Sequence, residues 1–336
     1  DRDSTTWTRR HLQLLMLTLV TGGTGFTGSH LVRRLLTRGH TVRVLDSSPG
    51  LFADELRDAG AKIEIGSVTD EDVVNRLTSN VEQVFHIAAV FRQVNLPDST
   101  YHEVNAIGTR IVGEAALRHN VSSFVYCSTQ GVHGDIKTFP GNENSPIRPE
   151  DYYQQTKYEG EQEIAALVAR GLPATTLRPM AIFGPGDPAR FLFLFRAAKR
   201  GRFLMFGDGE TLYHPLYIDN LVDAFELAAA KPGTGDIYLI GDAQYYSLND
   251  LVQAVGASLG RAVRIIHLPF QPLWLAATAC EAVCQPFGIE PPLFRRRADW
   301  FRQNRAFSIE KARLGLGYEP KIDLPTGLAA TANWYR

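Results

Sequence analysis

Met16-Leu-Thr-Leu-Val-Thr-Gly-Gly-Thr-Gly-Phe-Thr-Gly28 is the stretch on which the reading of this chain turns. An apolar run, Met16–Thr21, enters glycines at 22, 25 and 28. Leu31, Val32, Leu35 and Leu36 then recur on one face at the helical period. The order is strand, tight turn, helix. Glycine at this spacing lets the chain turn sharply and lets its backbone approach another group closely, since no Cβ stands in the way. The N–H groups that open the following helix sit at the positive end of its dipole, a natural seat for an anion.

Outward from that unit the pattern repeats. Thr41–Asp46 is rich in β-branched residues, a helix follows near 52–59, and Lys62–Ile65 reads as a strand. A helix near 71–77, a strand at 81–87, a long helix near 99–118 and a strand at 123–128 continue it. A turn-rich loop over 131–150 leads to a helix near 151–169 and a strand at 174–177. Strands alternating with helices of this length predict parallel βαβ units. The fold class is therefore α/β, a doubly wound parallel sheet of Rossmann type with a smaller, mostly C-terminal lobe. Residues 16–180, with 216–242 returning to them, should form the nucleotide-binding part. Residues 181–215 and 243–336 should form a substrate-binding lobe; in this second half of the chain 219–230 and 248–259 read as helices, with a strand at 236–240 between them. Residues 1–15 read as an upstream extension: Arg9 and Arg10 precede an apolar run, but that run flows into the glycine turn and not into a cleavage site.

Composition removes several classes. Of 336 residues, 44% are hydrophobic, enough for a large core. Lys plus Arg number 35 against 36 Asp plus Glu, so no charge excess points to nucleic acid. No stretch reaches the ~20 apolar residues of a membrane span. Three cysteines, Cys127, Cys280 and Cys284, are too few for a disulfide framework and suit a reducing, cytoplasmic compartment. Cys280 and Cys284 read as small apolar helix residues, and no metal site is expected.

The strand before and the amphipathic helix after give the glycine turn the context of a dinucleotide pyrophosphate site, with Phe26 and Thr27 opening the helix. Asp46 ends the second strand, 18 residues past Gly28. A carboxylate there accepts from ribose hydroxyls and repels a 2′-phosphate, which favours NAD over NADP. Arg43 lies within the strand and not at its end. A second feature is Tyr153-Gln-Gln-Thr-Lys157, which puts a phenol and an ammonium on one helix face. Bringing a tyrosine from its usual pKa of about 10 to near 7 takes roughly 4 kcal/mol of phenolate stabilisation. A neighbouring Lys157 ammonium and an oxidised nicotinamide are suitable sources. Ser128 and Thr129 end a strand where open α/β sheets bind their ligands, and a hydroxyl there can hold a substrate oxygen.

Taken with Val84-Phe-His-Ile-Ala-Ala89, Val104-Asn-Ala-Ile-Gly-Thr109, Arg178-Pro179, Gly184-Pro-Gly-Asp187, Tyr217-Ile-Asp219 and Lys311-Ala-Arg-Leu-Gly-Leu-Gly-Tyr318, the set resembles the extended short-chain dehydrogenase/reductase family over nearly the whole chain. That family includes nucleotide-sugar epimerases and 3β-hydroxysteroid dehydrogenases. The resemblance implies an NAD-dependent oxidoreductase or epimerase working on a small molecule. Tyr153 would be the acid/base, Lys157 would bind the nicotinamide ribose, and Thr129 would take the serine/threonine role. Ala88 and Ala89 would line the cofactor, as would Val68, and Asn105 would support the site. Ser67 departs from the Asp of many relatives near the adenine. Family habit also implies a homodimer through the helices at 101–118 and 151–169.

Gln130 and Gly131 follow Thr129 where sugar dehydratases carry a carboxylate, which disfavours dehydration. Two substrate classes stay open. Gln130, His214 and Arg296, with neighbouring arginines as a diphosphate clamp, would suit a nucleotide sugar, the first expectation. Phe270, Leu273, Trp274, Leu275, Val283 and Phe287, in 268–289, would floor a pocket for a sterol-like alcohol, the second. A non-catalytic NAD-sensing protein is a third reading, which would not need Tyr153 and Lys157 intact.

Overall fold

The computed structural model describes residues 16–91, 96–187, 191–287, 289, 291–293 and 295–336, without the side chains of Gln285, Arg296 and Arg297. The expected extension at 1–15 lies outside the described residues. Seven parallel strands make the central sheet: β1 (Leu17–Thr21), β2 (Thr41–Asp46), β3 (Lys62–Ile65), β4 (Gln83–His86), β5 (Ser123–Cys127), β6 (Ala174–Pro179) and β7 (Ile237–Ile240). Their spatial order is β7-β6-β5-β4-β1-β2-β3. The order reverses between β1 and β4, and a crevice at the carboxyl edge of such a switch is where these sheets take ligands.

Burial follows the sequence pattern. β5 is buried at every residue, as expected of a parallel strand covered on both faces. One apolar core lies on the side of the helix Phe26–Thr37 and continues through the helix Ile218–Ala229 into the C-terminal lobe. The other lies beneath the helices Gly108–Arg118 and Tyr152–Val168.

Two features differ from the sequence expectation. The helix expected near 99–118 is interrupted: Asp98–His102 and Gly108–Arg118 are α-helical, and Glu103–Ile107 between them is a π-helical turn. Helix Tyr152–Val168 presses Gly160 against this turn so closely that a Cβ there would lie 2.6 Å from the Asn105 carbonyl oxygen. The lobe also contains short strands that its sequence hides. Arg202–Phe206 pairs in parallel with Arg264–Leu268, and Ala181–Phe183 with Pro215–Tyr217. Among the described residues no helix is long and apolar enough to cross a membrane.

Candidate active site

The glycine turn sits at the end of β1, and two of its glycines are fixed by sterics. Gly22 has φ +69°, and a Cβ on it would fall 2.8 Å from the backbone of Ala88 on the neighbouring strand end. A Cβ on Gly28 would fall 2.1 Å from the Gly22 carbonyl oxygen. Gly25 is exposed, with nothing nearer than 3.4 Å, so its open side is left for a visitor. It caps the helix Phe26–Thr37 without any side-chain hydrogen bond, and the first turn, which carries Phe26 and Thr27, has no acidic residue. A helix start with no side-chain cap and no acidic residue in its first turn makes an anion seat.

Asp46 reaches this turn from the end of β2. Its Oδ2 accepts from the Thr24 backbone N–H at 2.9 Å and from the Thr24 hydroxyl at 2.7 Å, and Oδ1 accepts from Ser47 N–H at 2.9 Å. Ser67 Oγ is engaged locally, 2.7 Å from Thr69 Oγ1. Val68 is buried against Gly108, while Ala89 is exposed beside Ala88. Gly28→Ala is expected to open the turn and weaken NAD binding at least about tenfold, as a misplaced backbone forfeits its phosphate hydrogen bonds. Calorimetric titration of NAD would read this, and an affinity equal to that of the parent would remove the turn from the cofactor site.

Helix Tyr152–Val168 begins at Asp151, whose carboxylate accepts from Gln154 N–H at 2.8 Å. The helix carries Tyr153 and Lys157 one turn apart. Lys157 is 1% exposed, and its Nζ finds no hydrogen-bond partner among the described residues. The ammonium lies 4.3 Å from the centre of the Tyr126 ring, a cation–π contact from β5. Burial lowers the lysine pKa to about 8, countered by Cys127 and Glu161. It therefore still holds its proton at neutral pH. A buried ammonium with all its donors unspent fits a cofactor hydroxyl as acceptor. Tyr153 packs edge-on to Phe91 with ring centres 4.8 Å apart.

Thr129 follows β5 with extended backbone and accepts from Gly131 N–H at 3.0 Å through Oγ1. Gln130 beside it is buried, and its Oε1 has no hydrogen-bond partner among the described residues. Asn105 fastens the end of β4: Oδ1 accepts from Val90 N–H at 2.8 Å, and Nδ2 donates to Val90 O and to Thr156 Oγ1, both at 3.1 Å. His86 bridges Thr21 and Thr109 at 2.7 and 2.9 Å, and burial drives its pKa down to about 3.

Behind Thr129 lies a buried polar chain that the sequence pattern alone did not single out. Ser128 donates to Glu161. Arg178 on β6 meets the same carboxylate through Nε at 2.9 Å and Nη2 at 2.6 Å, with both side chains 3% exposed. Arg178 Nη1 donates to His133 Nε2 at 2.9 Å, and burial holds that histidine neutral with a pKa of about 4. Glu161 falls four residues after Lys157, so the Tyr153/Lys157 face extended by one turn was the signal available.

The expected substrate contacts divide. His214 is 3% exposed; its Nε2 lies 2.8 Å from Asp242 O, and its Nδ1 accepts from Phe307 N–H at 3.5 Å, so its ring is occupied within the chain. Arg296 lies on the short helix Arg295–Ala298, and its side chain is outside the described residues. Of the neighbouring arginines, Arg295 pairs with Glu281 and Arg302 with Asp299, both at 2.6 Å. The segment read as a pocket floor turns much of its apolar surface outward, with Leu275 67%, Val283 64% and Phe287 75% exposed.

A glycine turn at a topological switch point, an uncapped helix start and a buried unspent lysine define a dinucleotide-dependent oxidoreductase of the short-chain type. Residues 18–241 fit the model of the NAD dependent epimerase/dehydratase family, and the chain belongs to it. It is an enzyme of the extended short-chain dehydrogenase/reductase type and uses NAD. It is 33% identical to a 2-alkyl-3-oxoalkanoate reductase of Stenotrophomonas maltophilia, over 93% of this chain and 97% of that one. It is 31% identical to a 3 beta-hydroxysteroid dehydrogenase/Delta 5-->4-isomerase of Mycobacterium tuberculosis, over 94% and 90%. Its fold superposes on the UDP-glucose 4-epimerase of Thermotoga maritima, solved with UDP-glucose, with a TM-score of 0.77 at 28% identity, covering 96% and 99% of the two chains.

Proposed function

We propose that this chain moves hydride between the nicotinamide and a secondary alcohol, or its ketone, on a predominantly apolar 3-hydroxy or 3-oxo substrate. Lys157 carries the chemical part of this reading: a buried ammonium without a hydrogen-bond partner among the described residues, one helical turn from Tyr153. In this reading Thr129 Oγ1 holds the substrate oxygen and the Tyr153 hydroxyl exchanges a proton with it. Lys157 orients the nicotinamide ribose and favours the phenolate. The glycine turn takes the pyrophosphate and Asp46 the adenosine ribose. Bound NAD supplies the hydride acceptor or, when reduced, the donor.

The substrate class reverses the order expected from sequence. Arg295 and Arg302, candidates for a diphosphate clamp, are paired within the chain, as are both nitrogens of His214. The ring packed on Tyr153 is that of Phe91. The reductase and the steroid dehydrogenase named above are the relatives of higher identity. The second reading, a nucleotide-sugar epimerase, is favoured by the superposition on the Thermotoga enzyme.

The deciding assay follows NADH absorbance with a 2-alkyl-3-oxoalkanoate and a 3β-hydroxysteroid, alongside epimerisation of UDP-glucose. Turnover is expected with at least one apolar substrate and not with the sugar. Sugar epimerisation without apolar turnover would reverse the assignment.

A further inference from the structure

The helix Phe270–Cys284, Phe-Gln-Pro-Leu-Trp-Leu-Ala-Ala-Thr-Ala-Cys-Glu-Ala-Val-Cys, is apolar around nearly its whole circumference. A helix of that composition belongs in a core or in lipid. Here Ala277 is its single buried residue. Leu275, Ala279 and Val283 follow at four-residue spacing and share one exposed face, which Phe287 and Ile289 extend beyond the helix end. At 15 residues it is about 22 Å long, short of the ~30 Å of a bilayer hydrocarbon core. It can lie along a bilayer but cannot cross one.

The charge beside it names the occupant. Residues 295–305 hold five arginines and one aspartate. Arg302 lies 4.4 Å from the centre of the Trp274 ring and 5.5 Å from that of Phe270, and Arg295 lies 6.0 Å from the Trp274 ring. Arg302 is paired with Asp299 and Arg295 with Glu281, and both keep about half of their side chains exposed, at 49% and 51%; five arginines against these two carboxylates leave the stretch net positive. Aromatic rings beside an apolar stripe match the headgroup level of a membrane, where tryptophan anchors, and the excess of arginine over carboxylate in this stretch draws an anionic surface as a whole without a dedicated phosphate clamp. A second copy of the chain fits less well, because a two-fold contact on this patch brings two arginine clusters towards one another.

We propose that helix Phe270–Cys284 and the arginine cluster after it form a docking surface for an anionic phospholipid bilayer. The surface stands independently of the substrate assignment.

Co-sedimentation of the full chain with vesicles tests it, comparing phosphatidylcholine alone with phosphatidylcholine containing a third phosphatidylglycerol. Binding is expected to the anionic vesicles, and to weaken several-fold as salt rises from about 0.1 to about 0.5 M. Arg302→Gln should weaken it about fivefold, the worth of one basic residue near such a surface. Leu275→Glu with Val283→Glu should abolish it while NAD still raises the melting temperature; Leu275→Ser with Val283→Ser is the milder pair should the first not fold. Absence of parent binding, or binding that the apolar substitutions leave intact, overturns the proposal. A concentration-dependent dimer in sedimentation velocity that the same substitutions dissociate overturns it in favour of a second copy.

Discussion

Tyr153→Phe is expected to lower kcat by about two to four orders of magnitude and to leave NAD affinity within about threefold of the parent, the pattern of a lost proton-transfer group. The substitution removes one hydroxyl and keeps the ring that packs on Phe91, so the helix start and the cofactor crevice should persist. Lys157 stays beneath, with its ammonium over Tyr126. Steady-state turnover measured beside NAD titration separates the two effects. Retained turnover would take Tyr153 out of the chemistry. Full function without any turnover in the parent would favour an NAD-sensing role instead.

Glu161→Gln should produce the largest loss of stability from a single polar change. It leaves the Arg178 guanidinium buried without its counter-charge and turns an amide NH₂ towards a donor. Breaking a buried pair in this way costs about 3–5 kcal/mol. For a chain of this size that lowers Tm by on the order of 10 °C. Replacing both partners by apolar residues, Glu161→Leu with Arg178→Met, should recover part of the loss, because the orphaned charge is gone. Chemical denaturation of the parent, the single and the double variant measures this. A single-variant loss below about 1 kcal/mol, the range of an exposed pair, would mean that the carboxylate is not the partner Arg178 needs. Ser128 hangs from the same carboxylate and precedes Thr129, so the position of the threonine depends on this pair.

The central sheet was legible because its strands are short apolar runs between amphipathic helices and glycine turns, where pattern and packing agree. The glycine turn and Asp46 were legible for the same reason. The π-helical turn at Glu103–Ile107 was not; it packs against a helix distant in sequence, where Gly160, 55 residues beyond Asn105, leaves no room for a Cβ beside the Asn105 carbonyl. Apolar composition over 268–289 does not say whether a face points into a pocket or out to solvent; Leu275, Val283 and Phe287 are exposed. The pair Glu161–Arg178 shows the limit from the other side. Each residue was visible as a charge at a particular register, but only the packing of helix Tyr152–Val168 against the end of β6 makes them meet.

The hydrogen bonds from Thr24 to Asp46 have a consequence for retooling this enzyme. The carboxylate proposed to discriminate between nucleotides is also a strut of the loop that would cradle the phosphates. Exchanging it to admit a 2′-phosphorylated dinucleotide therefore strips two contacts from Thr24 at the moment specificity changes. A successful switch would have to rebuild that support from another side chain, so selectivity and loop order would have to evolve as a pair.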